Sequence, residues 1–148
     1  MVLLDFYKIL ENVVRKNEYN IIVRDNPYRL NSETSAMYPA FSYHLVDIEE
    51  KEDTSVVHIR LFGIDRETNN GDNFQTVISN EVEKLKNIIS TLADEYGIMS
   101  TGTKKFNPIS DTFSFGDKCN GVVLDVYLIV QNDTICNEQL NFKEIKVI

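Results

Sequence analysis

Apolar residues at steps of three and four predict an amphipathic helix at the start of the chain. Its apolar face comprises Leu3, Phe6, Tyr7, Leu10, Val13 and Val14. The intervening polar residues are expected to face solvent, and they are Asp5, Lys8, Glu11, Asn12 and Arg15. Residues 19–23 then predict a short strand that stops at Asp25-Asn26-Pro27.

Alternating side chains in residues 41–48 and 56–64 predict a two-stranded hairpin. In its second strand, Val57, Ile59 and Leu61 share one face, whereas His58 and Arg60 share the other. The connecting residues 49–55 carry four carboxylates, Glu49, Glu50, Glu52 and Asp53. The pattern therefore predicts an exposed, acidic hairpin tip.

The clearest periodicity in the chain predicts a long second helix from Phe74 to Tyr96. Its core-facing stripe comprises Phe74, Ile78, Val82, Leu85, Ile89, Leu92 and Tyr96, widened by Val77 and Ile88. Gly97 follows as a natural C-cap. We expect this stripe to pack on the strand formed by residues 122–130.

The C-terminal half predicts a second hairpin. Residues 98–108 are expected to form a loop or short strand, and residues 109–115 to pair with residues 122–130 through a turn at 116–121. The last strand is apolar on both faces apart from Asp125. Such a run is typical of a central strand covered on both sides.

The order of these elements predicts the fold class. It is an α+β domain in which an antiparallel-leaning sheet carries two helices packed on one face, a single-domain sandwich. Residues 1–131 form this domain. Residues 132–148 form a C-terminal tail that serves as an added edge strand or as an intersubunit arm.

Composition restricts the class of protein. The chain has 148 residues and a formal net charge of -8, which disfavours tight binding to a phosphate backbone. No run approaches about 18 apolar residues, so no membrane helix is expected. Without a basic leader, we expect the protein in the cytoplasm or in a particle assembled there. Cys119 and Cys136 suit a reducing compartment as free thiols.

Metal and catalytic sites are not expected. His44 and His58 lie on paired strands, but a zinc site needs a third protein ligand, for which Asp47 or Cys119 is conceivable. The polar turn around Gly71 departs from a calcium loop, because its twelfth position would be Thr76 instead of Glu. Phosphate-binding glycine loops and nucleophile elbows are absent from the sequence. We therefore expect no enzyme and no cofactor.

Two polar segments carry apolar side chains that are suited to protein interfaces. Residues 25–38 form a long loop, and loops of this length are usually functional. The interface candidates in this loop and in the tail are Tyr28, Leu30, Met37, Tyr38, Phe142 and Ile145.

Residues 111–133 resemble a segment of a known family. They read DTFSFGDKCNGVVLDVYLIVQND, an apolar strand after a hairpin that is followed by a short polar tail. In this, and in the placement of both helices, the chain resembles the tail-terminator and tail-completion proteins of tailed bacteriophages. This group belongs to the wider class of neck and head-to-tail connector ring proteins. The loop at residues 25–38 is longer than the family pattern.

The resemblance implies a structural virion protein of the neck or tail, assembled in the host cytoplasm. It implies a homo-oligomeric ring, a hexamer or dodecamer, that joins neighbouring connector and tail proteins. DNA passes through such a ring without sequence-specific binding, and membranes are not involved. Glu49, Glu50, Glu52 and Asp53 are then the channel-facing candidates. The alternatives are a cytoplasmic module that binds a small molecule or peptide, and a divergent enzyme.

Overall fold

The computed structural model describes residues 3–27, 38–66, 74–109, 119–133 and 145–148, and in these residues each helix is followed by three strands. The helices are α1 (Leu3–Arg15) and α2 (Phe74–Tyr96). The strands are β1 (Ile21–Arg24), β2 (Ala40–Glu50), β3 (Thr54–Arg66), β4 (Met99–Ile109), β5 (Cys119–Gln131) and β6 (Lys146–Val147).

The described strands form one mixed sheet with the order β4-β5-β3-β2-β1-β6. The four long strands pair antiparallel with one another, and the short β1 runs parallel to both β2 and β6. Both helices contribute to the same core cluster on one face of this sheet. The predicted α+β class is therefore confirmed.

The core on the helix side is built around α2. Val77, Leu85, Ile88, Ile89 and Leu92 are buried, which confirms the predicted stripe. Leu85, Ile88, Ile89 and Leu92 belong to the same core cluster as a row of alternating β5 residues, Val122, Leu124, Val126, Leu128 and Val130. Phe74 was predicted in the stripe but is 37% exposed, because it is the first residue of α2 and lies at the end of the packed surface.

The first helix is buried around more of its circumference than its apolar stripe predicts. Glu11 and Asn12 were expected to face solvent, but each is only 3% exposed. The prediction was wrong because Glu11 has partners in the sheet: the guanidinium of Arg24 and the hydroxyl of Tyr43 both donate to its carboxylate.

The edge strand β4 corrects the predicted C-terminal hairpin. Residues 99–109 pair with β5, and only Ile109 of the predicted strand 109–115 belongs to β4. Residues 110–118 lie outside the described part of the chain. The sequence does not alternate here because most of β4 is exposed on both faces. A register shift between Thr101 and Lys105, with Gly102 at φ 78°, also breaks the period of two.

The strand β5 is covered differently along its two faces. It lies between β3 and β4, as expected for an inner strand, but Tyr127 on the face away from the helices is 45% exposed. The prediction that both faces are covered throughout was therefore wrong. On the same face of the sheet, the end remote from Tyr127 is buried in a second hydrophobic cluster. Its members are Ile21, Val23, Ala40, Phe62, Ile64, Ile109 and Cys119.

The last residues of the chain extend the sheet beyond β1. Lys146 and Val147 pair parallel with Ile21 and Ile22. The Ile148 amide donates to the Ile22 carbonyl at 3.0 Å, and the Arg24 amide donates to the Ile148 carbonyl at 2.8 Å. The C-terminal residues thus occupy one edge of the sheet, and β4 occupies the other.

Candidate functional site

A polar cleft of about 830 Å³ lies between the end of α1 and the first half of α2. At its inner wall, Glu81 projects from α2 and is only 1% exposed. The Tyr19 hydroxyl donates to Glu81 Oε1 at 2.8 Å. Lys84 Nζ pairs with Glu81 Oε2 at 2.6 Å and lies 4.1 Å from the centroid of the Tyr19 ring. Both carboxylate oxygens of this buried glutamate therefore have partners.

Gly63 on β3 makes room for this arrangement. A Cβ atom at Gly63 would collide with Glu81 Oε1 and lie 2.8 Å from the Tyr19 hydroxyl oxygen. The buried glutamate can therefore pack directly on the backbone of the sheet. A glycine inside a strand often marks such a close approach.

Burial controls the protonation of this cluster. It raises the pKa of Glu81 above the ordinary 4.5, although Lys84 and the Tyr19 hydrogen bond act in the opposite direction. The pKa of Tyr19 is also raised well above 10.0, chiefly by burial and then by the charge of Glu81. Tyr19 therefore stays a neutral donor at physiological pH.

A second buried glutamate occupies a comparable position on α1. Arg24 Nε and one terminal nitrogen each donate to the Glu11 carboxylate at 2.7 Å, and the Tyr43 hydroxyl donates at 2.6 Å. Burial, followed by the hydrogen bond to Glu11, raises the pKa of Tyr43. The hydrogen bond to Glu11 also raises the pKa of Arg24. This bidentate pair is the strong form of an ion pair.

A smaller pocket of about 310 Å³ opens beside the Glu11 network. Tyr7 and Tyr43 line it with their ring centroids 5.1 Å apart, and Leu4 lies at its rim with 67% of its surface exposed. Glu11 and Arg24 pair with each other at its wall, and Lys8 and Asp25 also line it. The pocket therefore combines aromatic rings with charged groups.

The acidic hairpin tip is exposed and held in place. All four predicted channel-facing residues, Glu49, Glu50, Glu52 and Asp53, are exposed. Asn132, which follows β5, donates its side-chain amide to the Lys51 and Glu52 carbonyls at 3.1 Å each. It also accepts from the Ser55 hydroxyl at 2.6 Å, and its backbone amide donates to the Asp53 carbonyl. The tip that carries the carboxylates is therefore held by hydrogen bonds to Asn132, at the end of the neighbouring strand β5.

The two histidines lie on the outer face of the sheet and have separate partners. His44 Nδ1 donates to the Asp25 carbonyl at 2.9 Å. His58 Nε2 hydrogen-bonds Asp125, and its Nδ1 lies 3.7 Å from Asp47. Among the described residues, no group of three or more His, Cys, Asp or Glu side chains is placed to hold a metal ion. Asp47 is therefore near His58 without completing a metal site.

Among the described residues, one buried side-chain group lacks a hydrogen-bond partner. The side-chain nitrogen of Asn120 on β5 makes no hydrogen bond within the described part of the chain, although the residue is only 2% exposed.

The predicted interface residues fall into two groups. Tyr38 is half-buried, and the Arg66 guanidinium lies 5.6 Å from its ring centroid. Ile145 is half-buried against the main core and lines the polar cleft. Tyr28, Leu30, Met37 and Phe142 lie outside the described residues, and so does the turn around Gly71.

Sequence reasoning missed both buried glutamates, Glu11 and Glu81. Their tyrosine partners are 32 and 62 residues away in sequence, so no local pattern connects them. The only local signal was Lys84, three positions after Glu81 on α2. That spacing is equally typical of an exposed pair.

No protein-family model matches this chain, and no curated protein matches it either. Neither α1 nor α2 is long and apolar enough to cross a membrane.

Proposed function

We propose that this chain is a structural subunit of a homo-oligomeric ring in the head-tail connector or tail terminus of a tailed bacteriophage. In this proposal the ring surrounds the DNA channel and joins adjacent rings of the virion neck or tail. The acidic tip of the β2–β3 hairpin faces the channel, so that DNA passes without being held.

The proposal rests on one observation, the acidic hairpin tip that Asn132 holds in place by hydrogen bonds. Four exposed carboxylates, two at the end of β2 and two in the turn that follows, lie at a tip that Asn132 ties to the end of β5. The hydrogen bonds from Asn132 hold these carboxylates at a fixed place on the fold. Rotational symmetry would repeat these charges around an axis, and repeated negative charge repels a phosphate backbone.

The chemistry of the buried charges also supports a structural role. Glu11 and Glu81 have their oxygens occupied by tyrosine hydroxyls and by Arg24 or Lys84. A catalytic acid or base needs a pathway to a substrate proton. Groups that are fully engaged within the fold are better suited to fixing the helices on the sheet.

Electron microscopy of the purified chain tests the ring. We expect closed particles with a central opening wide enough for a DNA duplex. A population of single subunits at micromolar concentration would contradict the proposal.

A matched pair of variants tests the channel-facing tip. Glu52→Gln with Asp53→Asn removes two charges at the tip, and Glu83→Gln with Asp94→Asn removes two exposed charges on α2. In fluorescence anisotropy at low salt, the tip variant should bind duplex DNA more tightly than the control. Equal affinities would show that the tip does not face DNA.

The polar cleft favours a second candidate function, a module that binds a small polar molecule. Its volume of about 830 Å³ is within the usual range of ligand sites. Native mass spectrometry of the chain purified from cells would reveal a retained ligand. If mass spectra before and after denaturation show only the bare chain, this candidate loses its support.

A further inference from the structure

The smaller pocket beside the Glu11 network lies between one face of α1 and the first two strands. Leu4, Tyr7, Lys8 and Glu11 share that face, because they are spaced three and four residues apart on the helix. The end of β1 and Tyr43 of β2 form the opposite wall. The volume of about 310 Å³ lies at the lower end of the range for ligand sites, so the pocket has room for one small molecule.

The rings of Tyr7 and Tyr43 form the apolar part of this pocket. Their centroids are 5.1 Å apart and their planes are inclined by 42°. Tyr43 is fixed by the hydrogen bond from its hydroxyl to Glu11, and Tyr7 packs against the main core. Leu4 adds exposed apolar surface at the rim. A third aromatic ring can pack on this pair, since aromatic rings favour tilted and offset contacts.

Charges of both signs line the smaller pocket in equal number: Lys8 and Arg24 are cationic, and Glu11 and Asp25 are anionic. Two hydrogen bonds of 2.7 Å join Arg24 to Glu11. The side chains of Lys8 and Asp25, in contrast, make no hydrogen bond or ion pair within the described part of the chain. The pocket therefore presents one unpaired ammonium group and one unpaired carboxylate beside its aromatic rings.

The backbone fixes the position of the Asp25 carboxylate. Asp25 has a φ of 71°, a left-handed conformation that aspartate adopts more readily than most residues. Its amide donates to the Tyr43 carbonyl at 2.9 Å, and its carbonyl accepts from His44 Nδ1 at 2.9 Å. Burial, and then the charge of Asp25, raises the pKa of Tyr7. The carboxylate is thus held on β2 at a place where its field reaches the aromatic wall.

We propose that the smaller pocket binds a free amino acid with an aromatic side chain. The ligand ring packs on Tyr7 and Tyr43. The Lys8 ammonium group donates to the ligand carboxylate, and the ligand ammonium group donates to the Asp25 carboxylate. A ligand with a single charge would leave one of these two residues without a partner. A residue inside a polypeptide carries neither charge on its backbone, so the pattern favours a free zwitterion over a side chain of a partner protein.

The inference goes beyond the proposed ring and does not depend on it, because every group that it uses belongs to one chain. Titration calorimetry of the full chain with L-phenylalanine tests it, and we expect saturable binding with one site per chain. Hydrocinnamate lacks the ammonium group and phenethylamine lacks the carboxylate. Each should bind about tenfold more weakly, because one charge-assisted hydrogen bond is lost.

Two further probes identify the class of occupant. L-Alanine lacks the ring and should bind at least about tenfold more weakly than L-phenylalanine, because it leaves the two tyrosine rings uncovered. N-Acetylphenylalanine amide keeps the ring but carries neither charge, and it should also bind more weakly. If this blocked compound binds as tightly as L-phenylalanine, the occupant is a side chain of a polypeptide and the inference is wrong.

Two variants assign the charges. Lys8→Ala should weaken L-phenylalanine about tenfold but leave phenethylamine unchanged, since that amine has no carboxylate. Asp25→Asn keeps a residue that tolerates the left-handed backbone, and it should weaken L-phenylalanine and phenethylamine but not hydrocinnamate. Lys86→Ala and Glu83→Gln on α2, whose side chains are exposed, are the matched controls and should bind all probes as the wild type does.

The site is wrong if L-phenylalanine does not bind at millimolar concentration, or if both variants bind it as tightly as the wild type. Equal losses in the variants and the α2 controls would also overturn it. Circular dichroism establishes that each variant is folded. Native mass spectrometry of the same samples reports the assembly, so a failure of this site and a failure of the proposed ring are separate results.

Discussion

Buried carboxylates are the main departure of individual residues from the sequence pattern. Glu11 and Glu81 occupy helix positions that face the sheet, and each has a tyrosine hydroxyl and a cationic side chain as partners. Removing one member of such a buried group costs more than the group contributes, because the remaining charge is left unpaired. The two glutamates therefore fix how α1 and α2 lie on the strands.

Replacement of Glu81 by glutamine should change how stability depends on pH. Burial raises the Glu81 pKa above 4.5, so the folded chain binds a proton more tightly than the unfolded one. This contribution to stability is present below pH 4.5 and is lost as the pH rises through the folded pKa. Glutamine does not titrate.

Glu81→Gln should therefore gain stability relative to wild type as the pH rises above 4.5, by at most about 1.4 kcal/mol per pH unit. Urea unfolding at several pH values measures this difference. Glu83→Gln, at an exposed position on the same helix, is the control. A difference that stays constant with pH would contradict the assigned environment of Glu81.

At the scale of single residues, the sequence predicted apolar positions better than polar ones. Leu85 and Leu92 are fully buried, as their spacing on α2 indicates. A carboxylate on the edge of an apolar stripe carries no such signal, since its burial depends on distant partners such as Tyr19. The same limit applies to the Glu11 group.

At the scale of elements, periodicity was informative wherever one face of an element is buried. It located α1, α2, β2 and β3 within a few residues. It failed for β4, because a strand with two exposed faces and a register shift does not alternate. It also could not assign a partner to residues 146–147, because pairing with β1 depends on contacts between the two ends of the chain.

The packing of α2 on the sheet is tested by truncation of a core side chain. Leu85 is fully buried, so Leu85→Ala should lower the free energy of unfolding by about 2–5 kcal/mol. Leu4→Ala on α1, where the side chain is exposed, should change it by less than about 0.5 kcal/mol. Chemical denaturation measures both. Similar values for the two variants would show that the assigned core is wrong.

The rigidity of the acidic hairpin is tested at Asn132. Asn132→Ala removes hydrogen bonds to the Lys51 and Glu52 carbonyls and to Ser55, so it should cost about 1–2 kcal/mol. Amide hydrogen exchange at residues 51–54 should accelerate in this variant but not in Asp133→Ala, whose side chain is exposed. Unchanged exchange in Asn132→Ala would mean that the tip is held by something else.

At the scale of the whole molecule, the order of elements was sufficient to predict an α+β sheet with helices on one face. It was not sufficient to predict how the outer face is covered, since Phe62 and Ile64 are buried there whereas Tyr127 on the same face is exposed. Surfaces of this kind depend on partners, and a single sequence does not contain their positions. The proposed function therefore rests on an exposed feature, the acidic tip.

The central claim is that the chain acts as one subunit of a closed ring. Native mass spectrometry of the purified protein measures this most directly, because each subunit contributes 17.1 kDa. The account predicts a single dominant assembly whose mass corresponds to six or twelve subunits. A dominant mass of one subunit, at concentrations where the chain is folded, would contradict it.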